Sequence, residues 1–252
     1  MNRWKIVTVT YNSAETLRQF WSHRCQDGHE WVVVDNCSQD DSASVAEELG
    51  ALVVRSKSNV GFSAANNVGY RTGEDADYVA YVNPDVSIEQ TDFEALASFL
   101  SENDAIVAPQ LFNPDGTRQP NGRGDPTIWA KIGNRLSASL DRENSYRLYA
   151  GDDEALEVSW VMGAFVGVRS HTMDRIGGWN ENFFIYFEDS ELCLRGRLAG
   201  VPSYVLGSVR AEHGWAREAK SFSWTPIRHE LVSGLKFYRS YPKYLLPTVS
   251  RI

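Results

Sequence analysis

The chain has 252 residues, 42% hydrophobic and 23% charged, the composition of an ordinary soluble globular protein with room for a sizeable core. A net charge of −8 argues against general affinity for nucleic acid, and no apolar run reaches the length of a membrane span. Cys25, Cys37 and Cys193 lack metal-ligand spacing and read as free thiols of a reducing cytoplasm, in keeping with an N-terminus that enters a strand without a signal peptide.

Trp4–Thr10 is rich in β-branched residues and predicts a strand that ends at Tyr11-Asn12-Ser13, a turn able to cap a helix. Leu17, Phe20, Trp21 and Arg24 share a face of that helix, and Gly28 closes the unit. Glu30–Val34 is a second strand, and it runs into the polar cluster from Asp35 to Ser42 and a helix through Leu49. Ala51–Arg55 is a third strand, followed by Asn59-Val60-Gly61-Phe62 and a short helix through Tyr70. Asn66 and Asn67 are poor helix formers, so they either bond nearby backbone or serve a specific role. Tyr78–Asn83 is an apolar fourth strand stopped by Pro84, then a helix over Asp92–Ser101 and a strand over Ala105–Gln110. This alternation predicts a largely parallel sheet with helices on both faces.

Beyond residue 110 the pattern changes. Phe112–Thr127, dense in Gly, Pro, Asn and Asp, reads as a long loop, and Ile128–Leu148 reads as partly helical. Strands follow at Leu156–Val161 and Ala164–Val168, then a short helix at Ser170–Ile176 and a turn at Gly177–Asn180. An aromatic segment, Phe183 to Phe187, leads into a helix whose first turn holds Glu188, Asp189 and Glu191; acids also suit a helix N-terminus on structural grounds alone. Ser203–Leu206 and Val209–Glu212 read as two short strands before His213-Gly214-Trp215. Pro226–Tyr241 is a last helix, with Ile227, Leu231, Leu235 and Tyr238 as its expected core face.

The first four strands each end in a polar turn, and in a parallel sheet those ends share one edge, where ligands bind. Asp35 could accept from a base or ribose hydroxyl, and Arg55 or Lys57 could lie near a base or phosphate. Asn83 and Asp85, spaced i and i+2 around Pro84, form either a plain polar turn or a pair sharing a hard cation. There is no G-x-G-x-x-G or P-loop pattern, which disfavours dinucleotide and ordinary ATP sites.

Val7–Asn12, Val33–Ser38, Asn59–Phe62 with Ala65-Asn66-Asn67, Asn83-Pro84-Asp85 and Phe184–Leu192 occur in an order that resembles the family 2 glycosyltransferases. The closest likeness is to the rhamnosyltransferase-like and galactofuranosyltransferase-like branches. The resemblance spans about residues 5 to 215 and implies a single α/β domain of the GT-A (Rossmann-like) fold. Residues 1–110 would bind the nucleotide-sugar, 111–224 would form the acceptor and catalytic half, and 225–252 a C-terminal helix and tail. It also implies an inverting, metal-dependent transfer from a dTDP- or UDP-sugar, rhamnose among the candidates, to a glycan or lipid-linked glycan at the inner membrane face.

By that resemblance, Thr10, Tyr11 and Asn12 line the nucleoside pocket, Asp35 contacts base or ribose, and Asn59, Gly61, Phe62 and Asn67 close over the nucleotide. Asp85 matches the last acid of the family's Asp-x-Asp motif. Asn83 departs from its first acid and offers only a neutral oxygen to Mg²⁺ or Mn²⁺. Asp189 matches the base position, with Glu188 beside it. His213 is either a third metal ligand or a structural histidine; His23, His29, His171 and His229 have no such context. Trp179, Phe183, Phe184 and Tyr186 suit either a sugar face or the core, and a Gly163-Ala164 pair lets substrate approach backbone. Lys236, Arg239, Lys243 and Arg251, interleaved with aromatics, fit either a membrane surface or a solvated helix. Two other readings remain: a non-catalytic sugar-nucleotide or glycan binder, opposed by Asp85 and Asp189, and a nucleotidyltransferase, opposed by the missing glycine-rich basic signature.

Overall fold

The computed structural model describes residues 3–22, 28–139, 146–214 and 224–247. His23, Arg24, Cys25, Trp215 and Arg251 lie outside the described residues. The first half follows the alternation read from the sequence: β1 (Trp4–Thr10), α1 (Ala14–Trp21), β2 (Glu30–Asp35), α2 (Ser42–Glu48), β3 (Leu52–Arg55), α3 (Phe62–Arg71) and β4 (Tyr78–Val82). The second half runs β5 (Val86–Ile88), α4 (Gln90–Glu102), β6 (Ile106–Phe112), β7 (Arg118–Gln119), β8 (Gly122–Arg123), α5 (Ile128–Ser139) and β9 (Arg147–Leu148). It closes with β10 (Ala155–Val158), β11 (Trp160–Val161), β12 (Phe165–Arg169), α6 (Ser170–Ile176), α7 (Glu188–Leu198), β13 (Ser203–His213), α8 (Trp224–Ser240) and a 3₁₀ turn at Pro242–Leu245.

The main sheet has the order β10-β13-β6-β12-β4-β1-β2-β3, with β5 added to β13 and β7 to β6. β3, β2, β1 and β4 are parallel, β12 enters antiparallel between β4 and β6, and β13 runs parallel to β6. β4 is buried along its whole length, because helices cover both faces of the sheet. One core cluster packs Trp4, Trp21, Trp31, Phe93 and Leu96 on one face; a second gathers Tyr81, Met173, Trp179 and Leu192 on the other.

Four expectations change. The segment Phe112–Thr127 is not a bare loop: β7 pairs with β6, and β8 joins a small sheet with β9 and β11. Its Asn and Gln residues spend their amides on internal bonds, as Asn121 does with the Pro109 carbonyl at 2.7 Å. β5 was not expected, since three residues carry little pattern of their own. The two short strands after residue 203 are one strand, β13, with its register shifted between Leu206 and Arg210. The fourth change is α8. Leu231 and Leu235, expected in the core, are 64% and 74% exposed, whereas Ser233, Gly234 and Phe237 face inward.

Candidate functional site

The carboxyl ends of β1, β2 and β4 open onto a cleft of about 760 Å³, a size suited to a cofactor-like ligand. Tyr11, Asn12, Asn36 and Asn59 stand on one wall; Asn83, Asp85 and His213 lie at its centre; Trp160, Met162, Gly163, Glu188 and Asp189 stand on the other. Asn12, Cys37, Tyr186 and Phe187 are the non-glycine residues with positive φ among those described, and all belong to the loops around this cleft. Strained backbone concentrated there is the pattern of a site whose surroundings over-determine it.

The nucleoside wall is a set of interlocked strand ends. Asn12 N–H donates to Ser38 Oγ at 3.0 Å, and its Oδ1 accepts from Gln39 N–H at 2.7 Å, so the β1 and β2 loops hold each other. Asn36 donates to Asn59 Oδ1 at 2.9 Å and accepts from Val60 N–H at 2.9 Å, which pins the Asn59–Phe62 loop. Phe62 N–H then donates to the Phe184 carbonyl at 2.7 Å, joining that loop to the aromatic segment across the cleft. Asn36 was not singled out from the sequence, although it follows Asp35 at a strand end, the place where a ligand residue is expected.

Ten of the thirteen residues expected at this site come together in the cleft: Tyr11, Asn12, Asn59, Gly61, Phe62, Asn83, Asp85, Glu188, Asp189 and His213 all line it. Thr10 and Asp35 are buried just beneath it, the hydroxyl 3.4 Å from the carboxylate, and Asp35 also accepts from Ser38 N–H. Asn67 does not reach the cleft: it bonds both N–H and C=O of Trp179 at 2.9 and 2.8 Å and so ties α3 to the Gly177–Asn180 turn. Arg55 is paired with Glu47 and lies off the cleft, as does Lys57. Trp179 and Phe183 are core residues, while Phe184 and Tyr186 face the cleft.

Gln119 decides the state of His213. Its Nε2 donates to Asn113 Oδ1 at 2.6 Å and to the His213 carbonyl at 2.8 Å. A carbonyl only accepts, so the amide orientation is determined, and Oε1 faces His213 Nδ1 at 2.8 Å. Nδ1 therefore carries a proton, and in the neutral ring the Nε2 lone pair points toward Asp85 Oδ2, 3.4 Å away. Lone pairs so placed repel unless a cation or a second ring proton lies between them. Two ligands at right angles on an ion with bonds of about 2.1 Å lie about 3 Å apart, so the pair fits a shared divalent cation. The placement depends on β5: His213 pairs with Val86, and Gly214 N–H donates to the Asp85 carbonyl at 2.8 Å. Among the described residues no group of three or more His, Cys, Asp or Glu is arranged to hold a metal, so further oxygens must come from Asn83 or from the ligand.

The opposite wall is built by the N-terminus of α7. Asp189 accepts from Gly163 N–H at 3.2 Å and from Ser190 N–H at 2.7 Å, which fixes its carboxylate. Glu188 is buried, and its Oε2 has no hydrogen-bond partner among the described residues. Burial first, and then the Asp189 charge, push Glu188 up to about 8. Burial also raises Asp189, opposed by Lys131, the two backbone N–H groups and Arg123. Lys131 was not anticipated from the sequence. Its ammonium sits 3.6 Å from the Phe187 ring centroid and 4.9 Å from that of Trp160, and burial lowers it to about 8. Glu191 plays no part in the cleft, being held by Arg195 at 2.9 Å and by Tyr241.

Residues 5–152 match the family described as "Glycosyl transferase family 2". The chain belongs to that family. As a family 2 member it is 29% identical over 199 residues to the low-salt glycan biosynthesis hexosyltransferase Agl10 of Haloferax volcanii, covering 76% of this chain and 61% of that protein. It therefore spans about three fifths of that relative. It is 22% identical over 248 residues to the rhamnosyltransferase WbbL of Escherichia coli, covering 92% and 91% of the two chains. It is 26% identical over 248 residues to an N-acetylglucosaminyl-diphospho-decaprenol L-rhamnosyltransferase of Mycobacterium tuberculosis, at 89% and 79% coverage. The GT-A fold is shared with GalNAc-T7 crystallised with UDP, GalNAc and Mn²⁺, at TM-score 0.66, 15% identity and coverage of 96% and 50%. It is also shared with S. aureus TarS in complex with UDP-GlcNAc, at TM-score 0.60, 18% identity and coverage of 93% and 65%. The family match ends before Glu188, Asp189 and His213, so the placement of those three rests on the cleft geometry.

Proposed function

We propose that this family 2 chain is an inverting glycosyltransferase that moves a sugar, rhamnose among the candidates, from a dTDP- or UDP-sugar to a hydroxyl of a glycan or lipid-linked glycan. The observation that carries this is the gathering of two unlike groups in one cleft: Asp85 with His213, and Glu188 with Asp189. The relatives are named for hexosyl and rhamnosyl transfer, and one is named for a decaprenol-linked substrate. The solved neighbours hold UDP or UDP-GlcNAc, one of them with Mn²⁺.

In this reading Asp85 and His213 hold a divalent cation, with Asn83 adding a neutral oxygen. A bound cation would supply Lewis-acid stabilisation of the negative charge on a departing nucleoside diphosphate. Imidazole ligation favours Mn²⁺ over Mg²⁺. Tyr11, Asn12, Asn36 and the Asn59–Phe62 loop enclose the nucleoside. Asp189, held by two N–H groups and favoured as the anion by Lys131, takes the proton from the acceptor hydroxyl as its oxygen attacks the anomeric carbon. Glu188, protonated near neutrality, donates to a hydroxyl of donor or acceptor. A single displacement of this kind inverts the anomeric centre.

The test is release of nucleoside diphosphate over a panel of dTDP- and UDP-sugars, with Mn²⁺, Mg²⁺ or chelator. Asp189→Asn should keep donor affinity and lower turnover by about 10²-fold or more. Turnover equal to the parent's would remove Asp189 as the base. Donor affinity unchanged by chelator would remove the cation from Asp85 and His213.

A further inference from the structure

The outer surface formed by α5 and α8 is unlike the rest of the molecule. On α5, Trp129 and Leu136 are 58% and 59% exposed, with Ile132 between them on the same face. On α8, Leu231 and Leu235 are one helical turn apart and the most exposed leucines described. The two helices meet at this surface: Arg135 pairs with Glu230 at 3.0 Å, next to Leu136 and Leu231 in sequence. Trp129 Nε1–H donates to the Leu245 carbonyl at 3.2 Å, which brings Leu245 and Leu246 to the edge of the same surface. So many neighbouring exposed apolar side chains mark an interaction surface rather than scattered exposure.

The charge around it has one sign. Besides Lys131, which packs over Phe187, α5, α8 and the 3₁₀ turn carry Arg135, Arg228, Lys236, Arg239 and Lys243, and a single acid, Glu230, in a chain of net charge −8. Along α8 the exposed positions read Arg228, Leu231, Val232, Leu235, Lys236 and Arg239. Cations interleaved with leucines and flanked by a tryptophan fit the boundary of an anionic bilayer. They fit a second copy poorly, because a two-fold contact sets this surface against itself and would bring arginines together. The reverse sides of these helices meet the acceptor wall of the cleft. Ser233 Oγ donates to the Ile185 carbonyl at 2.8 Å, His229 stacks on Phe184 at 4.9 Å, and the Lys131 ammonium lies beside Phe187.

We propose that α5 and α8 form a docking surface for an anionic lipid bilayer, seating the acceptor side of the cleft at the membrane boundary. Among the described residues no helix is long and apolar enough to cross a membrane, so this contact is peripheral. It rests on the surface alone, and it deepens the lipid-linked acceptor reading by saying where such an acceptor would be met.

The test is co-sedimentation of the purified chain with vesicles of phosphatidylcholine, with and without phosphatidylglycerol, in the absence of donor and acceptor. The chain should partition to the anionic vesicles and release as salt rises. Leu231→Glu with Leu235→Glu should lower partition at least about tenfold. Arg228→Ala or Arg239→Ala should each lower it about fivefold. Leu231→Ser with Leu235→Ser is the milder pair, and an unchanged circular dichroism spectrum and thermal midpoint show that each variant is folded. No binding to anionic vesicles, or binding that survives these substitutions, overturns the proposal. So does a concentration-dependent dimer, seen by sedimentation velocity, that the leucine variants dissociate. Because no sugar nucleotide enters the assay, its failure leaves the transfer reading standing.

Discussion

Asp189 and Glu188 are chemically alike neighbours that the fold separates. Asp189 has two N–H donors and lies near two cations, Lys131 and Arg123, whereas Glu188 has an oxygen unpartnered among the described residues and is driven toward its neutral form. Environments that push paired acids apart are how one site obtains both a base and a proton donor at the same pH. A base must be ionised, so turnover is lost as pH falls through the raised Asp189 value. Lys131 opposes that rise. Lys131→Met should therefore move the acidic limb of the kcat/KM profile upward by about 1 pH unit, read from pH–rate curves with fixed donor. Gln119 offers a second test at this scale. Gln119→Leu removes the acceptor that fixes His213, and Mn²⁺ affinity measured by paramagnetic resonance with UDP should fall about 10- to 100-fold. Gln119→Glu keeps an acceptor for Nδ1–H while losing the Nε2 donors, so it should recover much of that affinity. Equal loss in both variants would reduce Gln119 to a packing role.

At the scale of elements, the site depends on short connections that tie distant segments together. The Asn59–Phe62 loop reaches the aromatic segment before α7 through one hydrogen bond, Phe62 N–H to the Phe184 carbonyl. Gly61 makes that approach possible. Its φ is +87°, and a Cβ there would lie 2.6 Å from the same carbonyl oxygen. Gly61→Ala should cost about 2 kcal/mol or more in urea denaturation and raise the donor KM, because the loop must leave Phe184. The β5–β13 pairing is equally short, yet it carries His213 to Asp85. The leucines of α8 have the spacing of a core stripe but face outward. Its true inner face is anchored by Phe237, with small residues, Ser233 and Gly234, where Ile185 and Phe187 come close.

Across the whole molecule, two large cores packed on the sheet draw on both halves of the chain, and a third, smaller core lies beneath the acid-bearing helix. That third cluster packs Phe183, Phe187 and Leu194 against Phe237 and Tyr244, so the helix bearing the acid pair is braced by the last helix of the chain. Phe237→Ala should destabilise by about 3–5 kcal/mol on calorimetry or denaturation. Where the variant remains folded, turnover should fall with little change in donor affinity, because the cavity opens behind Phe187 and away from the nucleoside wall. A parallel fall in donor affinity would show that the two halves are not separable in this way.

The sequence alone determined the α/β alternation, the strand ends that carry ligands, and most of the residues that meet in the cleft. Continuous apolar runs, glycine stops and polar turns are local signals, and local chemistry fixes them wherever the chain goes. Only the tertiary structure decided which polar residues face the ligand. Asn67, inside α3, and Asn36, at the end of β2, are both asparagines of ligand-capable segments, but one is spent on Trp179 and the other supports the cleft. It also decided the tautomer of His213 through Gln119, 94 residues away, and the placing of Lys131 near the acid pair. Those relations join segments that no periodicity links, and they exist only once β12 and β13 have entered the sheet beside strands far from them in the chain.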